Sequence, residues 1–404
     1  MDDHILIEIA LEHLNSLCNT HPHRQVGSVG NRAATDYFAR VSREYGFTVE
    51  EPQFDCLDWK SGARRLAAGG EEFDFVISNY SLGCEVTAPL VVVSTLAELE
   101  AVEATGKVLL VQGELAVEQL MPKNFTYYNP DSHKQIIALL EQKAPLAIIA
   151  ATGHNPELAG AIYPFPLIED GDFNLPVANI KDVDGERLAS HSGETIELSM
   201  EAQRIPTRCT QVLACKGADP HARLVFSAHI DTKATTPGAL DNATGAIVLL
   251  LLAELLQDYN GRRTVELVPF NGEDHYSVAG QKLYMERNDG RLGEISLNVN
   301  LDGLGWLGSP TAYSFYACKD EITTKVREVF GKYPELVEGS PWPQGDHMIF
   351  AMSGVPAVAI TTEKFTDLEH DIAHTEKDVP GLVDPVKLVA TAKALHELVT
   401  KMEK

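Results

Sequence analysis

Short apolar runs alternate with longer helical patterns through the last half of the chain. Runs such as ARLVFSA, TVELVPF, ISLNVNL and VPAVAITT have the length and composition of buried strands. Between them, NATGAIVLLLLAELLQDY is apolar on nearly every face, which predicts a helix covered by protein on most sides. Residues 384–402 predict an amphipathic helix that begins after Asp384-Pro385. This alternation predicts an α/β fold with a mostly parallel central sheet flanked by helices.

The patterns before residue 205 predict two further parts of the chain. Apolar residues at helical spacing predict helices over 3–18 and 31–45, after which FTVEEPQFD alternates like a strand. From Trp59 to about Arg204, short apolar runs such as PLVVVST and KVLLVQG are separated by Gly, Pro and Asn. The sequence therefore predicts a smaller β-rich domain, residues 58–204, inserted into a larger domain formed by 1–57 and 205–404.

Polar residues with catalytic chemistry follow the predicted strands of the last half. In an open α/β sheet the loops at the carboxyl ends of the strands form the ligand crevice, so residues distant in sequence can converge there. The residues that follow strands in this way are His229 and Asp231, Glu273 and Asp274, Asp302, and His374.

Two histidines and several carboxylates, with no cysteine nucleophile and no G-x-S-x-G motif, indicate a catalytic zinc site. Paired metal ions need one carboxylate as a bridge, and a further carboxylate that stays off the metals to move protons. The neighbours Glu273 and Asp274 fit this division, because adjacent residues do not easily point at one ion. Taken singly, each residue also has an ordinary explanation; Asp241, for example, could cap the helix that follows it.

Five motifs occur in an order that resembles the dinuclear zinc aminopeptidase family, which includes the bacterial leucine aminopeptidases. They are A-H-I-D-T, G-A-L-D-N-A-T-G, N-G-E-D, N-L-D-G and A-H-T-E-K-D. The resemblance covers about residues 205–404 and the N-terminal stretch R-Q-V-G-S-V-G-N. More loosely, G-K-V-L-L-V, A-P-L-A-I-I-A and L-P-V-A-N-I in the middle domain resemble a protease-associated domain.

The resemblance implies a zinc exopeptidase fold, two Zn²⁺ ions and a role for each residue of the set. Cobalt or manganese could substitute for zinc. It implies that Asp241 bridges the ions through a loop with a cis peptide bond at Asp241-Asn242, and that Glu273 is the general base. It also implies that Asp231 hydrogen-bonds the His229 imidazole without itself binding a metal ion. The remaining metal ligands would be His229 with Asp302 on one ion, and Asp274 with His374 on the other.

The chain departs from the family pattern at two places. The acidic pair is Glu-Asp rather than Glu-Glu, so Asp274 presents the shorter side chain to its metal. Near the place where some relatives carry a tyrosine that stabilises the tetrahedral intermediate, this chain has Trp342, whose indole N–H is an alternative donor. Asp346 and His347 follow; they could lie behind the metal ligands, and a helix N-cap is an equally good prediction for them.

The expected function is removal of N-terminal residues from peptides with a free N-terminus. Two alternatives remain open: a carboxypeptidase or dipeptidase on the same scaffold, and a receptor-like binding protein without catalysis. A basic subsite would favour the carboxypeptidase, with Arg262, Arg263, Arg287 and Arg291 as its candidates. Because every metal-ligand position is filled, the binding protein is the weaker alternative.

Charge and composition limit the classes of molecule that the protein is expected to bind and the compartment in which it is expected to occur. The chain has 58 acidic and 33 basic residues and a net charge of −25, so nucleic acid and anionic membranes are poor partners. The N-terminus lacks the basic start and apolar run of a signal peptide, and the six cysteines are scattered. These features predict a cytoplasmic protein, or a secreted one if a leader has been trimmed. They leave the oligomeric state open, with a homodimer as one option.

Overall fold

The structure, a computed structural model, describes residues 2–153, 164–234 and 236–403. The chain divides into two compact units. The first contains Met1–Cys56 and Arg208–Lys404, and the second contains Leu57–Thr207. The two units are described separately below. No helix in the described residues is long and apolar enough to span a membrane.

The helices and strands are numbered in chain order. The α-helices of the described residues are α1 (Asp3–Asn15), α2 (Val29–Glu44), α3 (Leu96–Ala101), α4 (Asp131–Lys143), α5 (Asp182–Ala189), α6 (Thr244–Leu255), α7 (Ala279–Arg287), α8 (Asp320–Phe330), α9 (His347–Ala351), α10 (Phe365–Asp371) and α11 (Pro385–Met402). The strands are β1 (Thr48–Glu50), β2 (Gln53–Ala68), β3 (Glu71–Phe73), β4 (Val76–Ile77), β5 (Cys84–Val93), β6 (Val108–Val111), β7 (Ala147–Thr152), β8 (Val177–Lys181), β9 (Thr195–Thr210), β10 (Leu213–Lys216), β11 (Asp219–His229), β12 (Arg263–Phe270), β13 (Ile295–Leu301), β14 (Thr311–Tyr316), β15 (Leu336–Glu338) and β16 (Ala357–Thr362).

The first unit is built on a mixed sheet with strand order β1-β10-β12-β11-β13-β16-β14-β15. Its four central strands, β12, β11, β13 and β16, run parallel to one another. The antiparallel pairs lie toward the edges, where β10 pairs with β12 and β1, and β14 pairs with β16. The predicted parallel centre is therefore confirmed, whereas the antiparallel strands beside it were not predicted.

Helices pack on this sheet because the contact removes their apolar faces from water. Helix α6 is buried around its whole circumference, as its unbroken apolar sequence predicts, and it contacts α1, α2 and α11. Side-chain caps mark the N-terminal ends of α2 and α11. Ser28 caps α2 by accepting a hydrogen bond from the Asn31 N–H, and Asp384 caps α11 ahead of Pro385.

The second unit has a sheet of its own with strand order β3-β2-β9-β5-β6-β7-β8-β4. Strands β5 to β8 are parallel neighbours, and β6 and β7 are buried along their whole length. Helix α3 contacts β5, and α5 contacts β7 and β8. This unit is thus as β-rich as predicted, and its parallel strands also carry helices that pack on the sheet.

Candidate active site

The parallel strands of the first unit end at the residues singled out by the sequence. Strand β11 ends on His229, β13 ends one residue before Asp302, and the loop after β12 carries Glu273 and Asp274. Because these strands run in one direction, their carboxyl ends place the polar side chains at one edge of the sheet. His374 joins them from the segment after α10, where its φ of 59° is uncommon for a residue other than glycine.

The two oxygens of the Asp241 carboxylate face two different groups of side chains. Its Oδ1 lies 2.9 Å from His229 Nε2, and the same imidazole nitrogen lies 3.4 Å from Asp302 Oδ1. Its Oδ2 lies 2.9 Å from His374 Nε2, which is also 2.9 Å from Asp274 Oδ1. Asp241 is therefore shared between one His–Asp pair and another.

This donor set fits divalent metal ions. Ligand atoms of His229, Asp241 and Asp274 all lie within 4.8 Å of one another. The second carboxylate oxygen of Asp274 is buried and has no hydrogen-bond partner among the described residues. A buried acceptor of this kind is costly unless a ligand satisfies it, and imidazole with carboxylate is the donor chemistry that suits zinc.

The electrostatics of the site also favour cations. Burial alone would lower the pKa of His229, but the carboxylates of Asp302 and Asp241 raise it well above its ordinary value. Burial alone would raise the pKa of Asp241, but His374 and His229 lower it. Each imidazole is thus held in a field strong enough to bind a proton tightly. The same field attracts a metal ion, whose binding displaces that proton.

Glu273 lies in the loop after β12, directly before Asp274. Its carboxylate is half-buried, and burial together with the charges of Asp274 and Asp346 raises its pKa well above the ordinary value of a glutamate, against the charge of His229, which acts to lower it. A carboxylate that readily takes a proton beside a metal-binding cluster has the property required of a general base.

The hydrogen bond expected between Asp231 and the His229 imidazole involves the backbone of Asp231 and not its carboxylate. His229 Nδ1 lies 3.1 Å from the backbone carbonyl oxygen of Asp231, while the carboxylate Oδ1 is 3.9 Å away. The carboxylate instead accepts from the N–H groups of Gly272, Glu273 and Asp274, at 2.8, 3.2 and 3.1 Å. Asp231 thus contacts the imidazole through its backbone carbonyl, and its carboxylate holds the loop that carries Glu273 and Asp274.

The loop that carries Asp241 leads directly into α6. The Asp241–Asn242 peptide bond is cis, as the resemblance implied. The Asn242 side chain donates to the Leu301 carbonyl oxygen at 2.7 Å and accepts from the Gly245 N–H at 2.9 Å. Asn242 thus ties the loop both to the end of β13, next to Asp302, and to the first turn of α6.

Trp342, Asp346 and His347 are the buried residues of the segment that follows β15 and enters α9. Asp346 occupies the N-cap position of α9 but makes no side-chain hydrogen bond to the helix; its carboxylate instead accepts a hydrogen bond from the Gln281 side chain. Burial raises the pKa of Asp346 to about 8. His347 donates from Nε2–H to the Trp342 carbonyl oxygen at 3.0 Å, and its ring packs against Trp342. The Trp342 indole N–H is buried and has no acceptor among the described residues.

Several residues at the site were not predicted. Lys233 donates to the Asp274 carbonyl oxygen at 2.9 Å, and its ammonium lies 3.9 Å from Asp274 Oδ1. Asp378 accepts from the N–H groups of Leu240 and Asp241. Gln281 holds Asp346, as described above. Asp378 is the last residue of the motif A-H-T-E-K-D, so the sequence pattern could have indicated that it lies at the site. Lys233 and Gln281 belong to no such motif, and only their position in sequence near site residues could have suggested them.

Comparison with known proteins agrees with this geometry. Residues 211–399 match the sequence profile of peptidase family M28. The match covers just under half of the chain. All of the predicted metal ligands and Glu273 lie inside the matched M28 segment, and the resemblance to zinc aminopeptidases noted from the motifs is thereby confirmed.

Relatives of the chain include named aminopeptidases. The probable lipoprotein aminopeptidase LpqL of Mycobacterium tuberculosis is 26% identical over 294 residues, which cover 70% of this chain and 55% of LpqL. The probable leucine aminopeptidase 2 of Aspergillus oryzae is 22% identical over 378 residues, covering 87% of this chain and 71% of that protein. The chain thus spans only about half the length of the first of these relatives.

Solved structures share the fold. The aminopeptidase from Aneurinibacillus sp. strain AM-1 superimposes with a TM-score of 0.75 at 20% identity, covering 98% of this chain and 95% of that one. BSAP, a zinc aminopeptidase from Bacillus subtilis, gives a TM-score of 0.74 at 18% identity, covering 98% and 94%. The predicted α/β class, with central sheets flanked by helices, is confirmed by these likenesses.

Proposed function

We propose that this protein is a dizinc aminopeptidase that removes N-terminal residues from peptides. The observation that carries the proposal is the sharing of the Asp241 carboxylate between two His–Asp pairs. A single metal ion needs only one such group, whereas two groups joined by one carboxylate provide a bridged pair of sites. The names of the relatives, which are aminopeptidases, support the same reaction.

Each zinc ion would be held by one His–Asp pair, His229 with Asp302 or His374 with Asp274, and Asp241 would serve both ions. When bound, the ions would polarise the scissile carbonyl and make water acidic enough to attack near neutral pH. The buried carboxylates around the pair would compensate the added positive charge. The free N-terminal ammonium of a peptide suits a site with this excess of acidic groups.

Glu273 would carry the protons of the reaction. Its carboxylate takes a proton from the attacking water as the oxygen adds to the carbonyl carbon. The same proton then passes to the leaving nitrogen when the C–N bond breaks, which yields an amine and a carboxylic acid, and the acid releases its remaining proton to solvent or to the amine. The raised pKa of Glu273 suits both halves of this task, because the group must accept a proton and then release it.

The arginines considered for a carboxypeptidase subsite lie at the opposite ends of the strands. Arg263 begins β12, whereas the site follows the end of that strand at Phe270. Arg287 pairs with Glu50, and Arg291 pairs with Glu294. These contacts give the arginines structural partners and leave the aminopeptidase as the better-supported reaction.

Blocked peptides test the reaction directly. A short peptide with a free N-terminus and an amidated C-terminus should be cleaved one residue at a time, and its N-acetylated counterpart should not. Chelation should abolish cleavage, and zinc or cobalt should restore it. Equal cleavage of the acetylated peptide, or a requirement for a free C-terminal carboxylate, would overturn the proposal in favour of an endopeptidase or a carboxypeptidase.

Three further parts of the prediction accompany the proposal. We infer that Leu57–Thr207 is a protease-associated domain, which its separate sheet supports. We keep a reducing, cytoplasmic location, which the scattered positions of the six cysteines support, and the lipoprotein relative makes a secreted location the alternative. Size-exclusion chromatography with light scattering would decide between a monomer and a homodimer.

A further inference from the structure

Two buried charged residues lie on either side of the loop that carries Asp241, and the reaction described above uses neither of them. They are Arg24, from the segment before α2, and Asp378, from the segment after α10. Both are 0% exposed. Because an isolated buried charge is costly, the contacts of each residue show what it holds in place.

The guanidinium of Arg24 donates hydrogen bonds to backbone carbonyl groups. Nε donates to the Ile230 oxygen at 2.8 Å, and Nη1 donates to the Leu17 and Pro237 oxygens at 2.8 and 3.0 Å. Nη2 donates to the Gly238 oxygen at 2.8 Å. Arg24 therefore joins the residue after β11 to the residues just before Asp241. An arginine presents its donors from three nitrogens in a fixed planar fork, whereas all the donors of a lysine lie on one atom, so a lysine cannot span the same set of acceptors.

The carboxylate of Asp378 accepts hydrogen bonds from backbone N–H groups of the same loop. Oδ1 accepts from Leu240 at 2.7 Å, and Oδ2 accepts from Asp241 at 2.9 Å. The Asp378 carbonyl oxygen accepts from Ala239 at 3.3 Å. Three successive N–H groups are thus directed at one residue, and the last of them belongs to the shared ligand itself.

We propose that Arg24 and Asp378 are positioning residues that fix the Asp241 loop, so that each oxygen of the Asp241 carboxylate faces its own His–Asp pair. Arg24 holds the carbonyl groups of the loop and Asp378 holds its N–H groups. The loop is therefore fixed by opposite charges through both kinds of backbone group. This inference rests on the proposed dizinc site.

The position of Asp378 in sequence extends this role to a second ligand. Asp378 lies four residues after His374, so a single short segment supplies a ligand and holds the loop of the ligand that it faces. Gly238 allows the loop to approach this closely. It has a φ of 58°, and a Cβ there would lie 2.2 Å from Thr232 Cγ2 and 2.6 Å from the Asp241 carbonyl oxygen.

The proposal predicts a loss of metal affinity that exceeds any loss of stability. The test variants are D378N, which keeps the shape but loses one acceptor, and R24K, which keeps the charge but loses the fork. The matched control is E266Q, which weakens the buried Arg223–Glu266 pair in the first half of β11 and β12, away from the carboxyl ends of these strands. Zinc affinity and stoichiometry are measured by competition with a chromophoric chelator, and unfolding temperatures are measured on the same samples without metal.

We expect D378N and R24K each to weaken at least one zinc site about 10- to 100-fold, as is typical when groups behind metal ligands are removed. E266Q should lower the unfolding temperature and leave both zinc affinities as in the wild type. Wild-type zinc affinities in both D378N and R24K would overturn the positioning role. So would equal losses of affinity in all three variants, because that result would make the effect one of general stability. A wild-type protein that binds no zinc would instead refute the dizinc proposal itself.

Discussion

Replacing Asp231 with asparagine tests how the loop with Glu273 is held. Oδ1 of Asp231 accepts from the N–H groups of Gly272 and Glu273, and Oδ2 accepts from that of Asp274. Asparagine keeps one acceptor oxygen and places an NH₂ group where the other oxygen was. At least one buried N–H then faces a donor rather than an acceptor, and the remaining bonds lose their charge assistance.

The size of the effect follows from these contacts. A hydrogen bond to a charged group contributes about 1.5–3 kcal/mol, and a buried donor without an acceptor costs about 1–3 kcal/mol. Removing the charge of a fully buried carboxyl offsets part of the loss, so we expect a net destabilisation of roughly 2–3 kcal/mol. For a domain of this size that is roughly 4–12 °C in unfolding temperature. Displacement of Glu273 by of the order of 1 Å should also lower kcat about 100-fold.

Differential scanning calorimetry and initial-rate kinetics of D231N measure both effects. The control is D55N, because the Asp55 side chain is 93% exposed and its exposed ion pair with Arg208 should contribute little. D55N should therefore unfold and turn over like the wild type. A D231N protein that also matches the wild type in both assays would refute the role given to the three backbone hydrogen bonds.

Three further predictions concern the base, the metal and a buried histidine. E273Q should keep its zinc and lose about 10²–10⁴-fold in kcat, because a general base contributes about that much; metal analysis with initial rates checks this, and wild-type turnover would contradict it. Removing zinc with a chelator should lower the unfolding temperature, because ligands that bind the native state stabilise it by mass action; an unchanged calorimetric transition would argue against a metal site. Burial lowers the pKa of His13 from 6.5 to about 4. As the pH falls below the unfolded value, the unfolded chain therefore binds a proton that the native protein does not, and stability decreases by up to about 3 kcal/mol. H13Q should flatten this decrease in urea unfolding between about pH 7 and about pH 5, and an unchanged slope would show that other groups cause it.

The fold was predictable where the sequence pattern has a single physical explanation. The apolar sequence of α6 leaves no polar face, so the helix had to be covered on most sides. The parallel centre of the sheet followed from the alternation of strands and helices. The antiparallel strands β10 and β14 did not, because a short apolar strand carries no mark of its direction or of its partner.

The convergence of the candidate metal ligands was predictable because the carboxyl ends of parallel strands lie at one edge of the sheet. His229, Asp302 and Asp274 follow buried strands in sequence, and that position alone brings them to one edge of the sheet. Arg24 and Asp378 have no such pattern. They contact the same loop from segments more than three hundred residues apart in sequence. Only the folded structure shows that their charged groups hydrogen-bond the backbone of this loop.

The central claim of this account is that Asp241 joins two zinc sites. A crystal structure of the zinc-loaded protein, with anomalous data collected at the zinc edge, tests it most directly. The account predicts two zinc peaks per chain, with one oxygen of Asp241 on each ion and His229 and His374 on different ions. A single zinc peak, or two peaks that do not share Asp241, would contradict it.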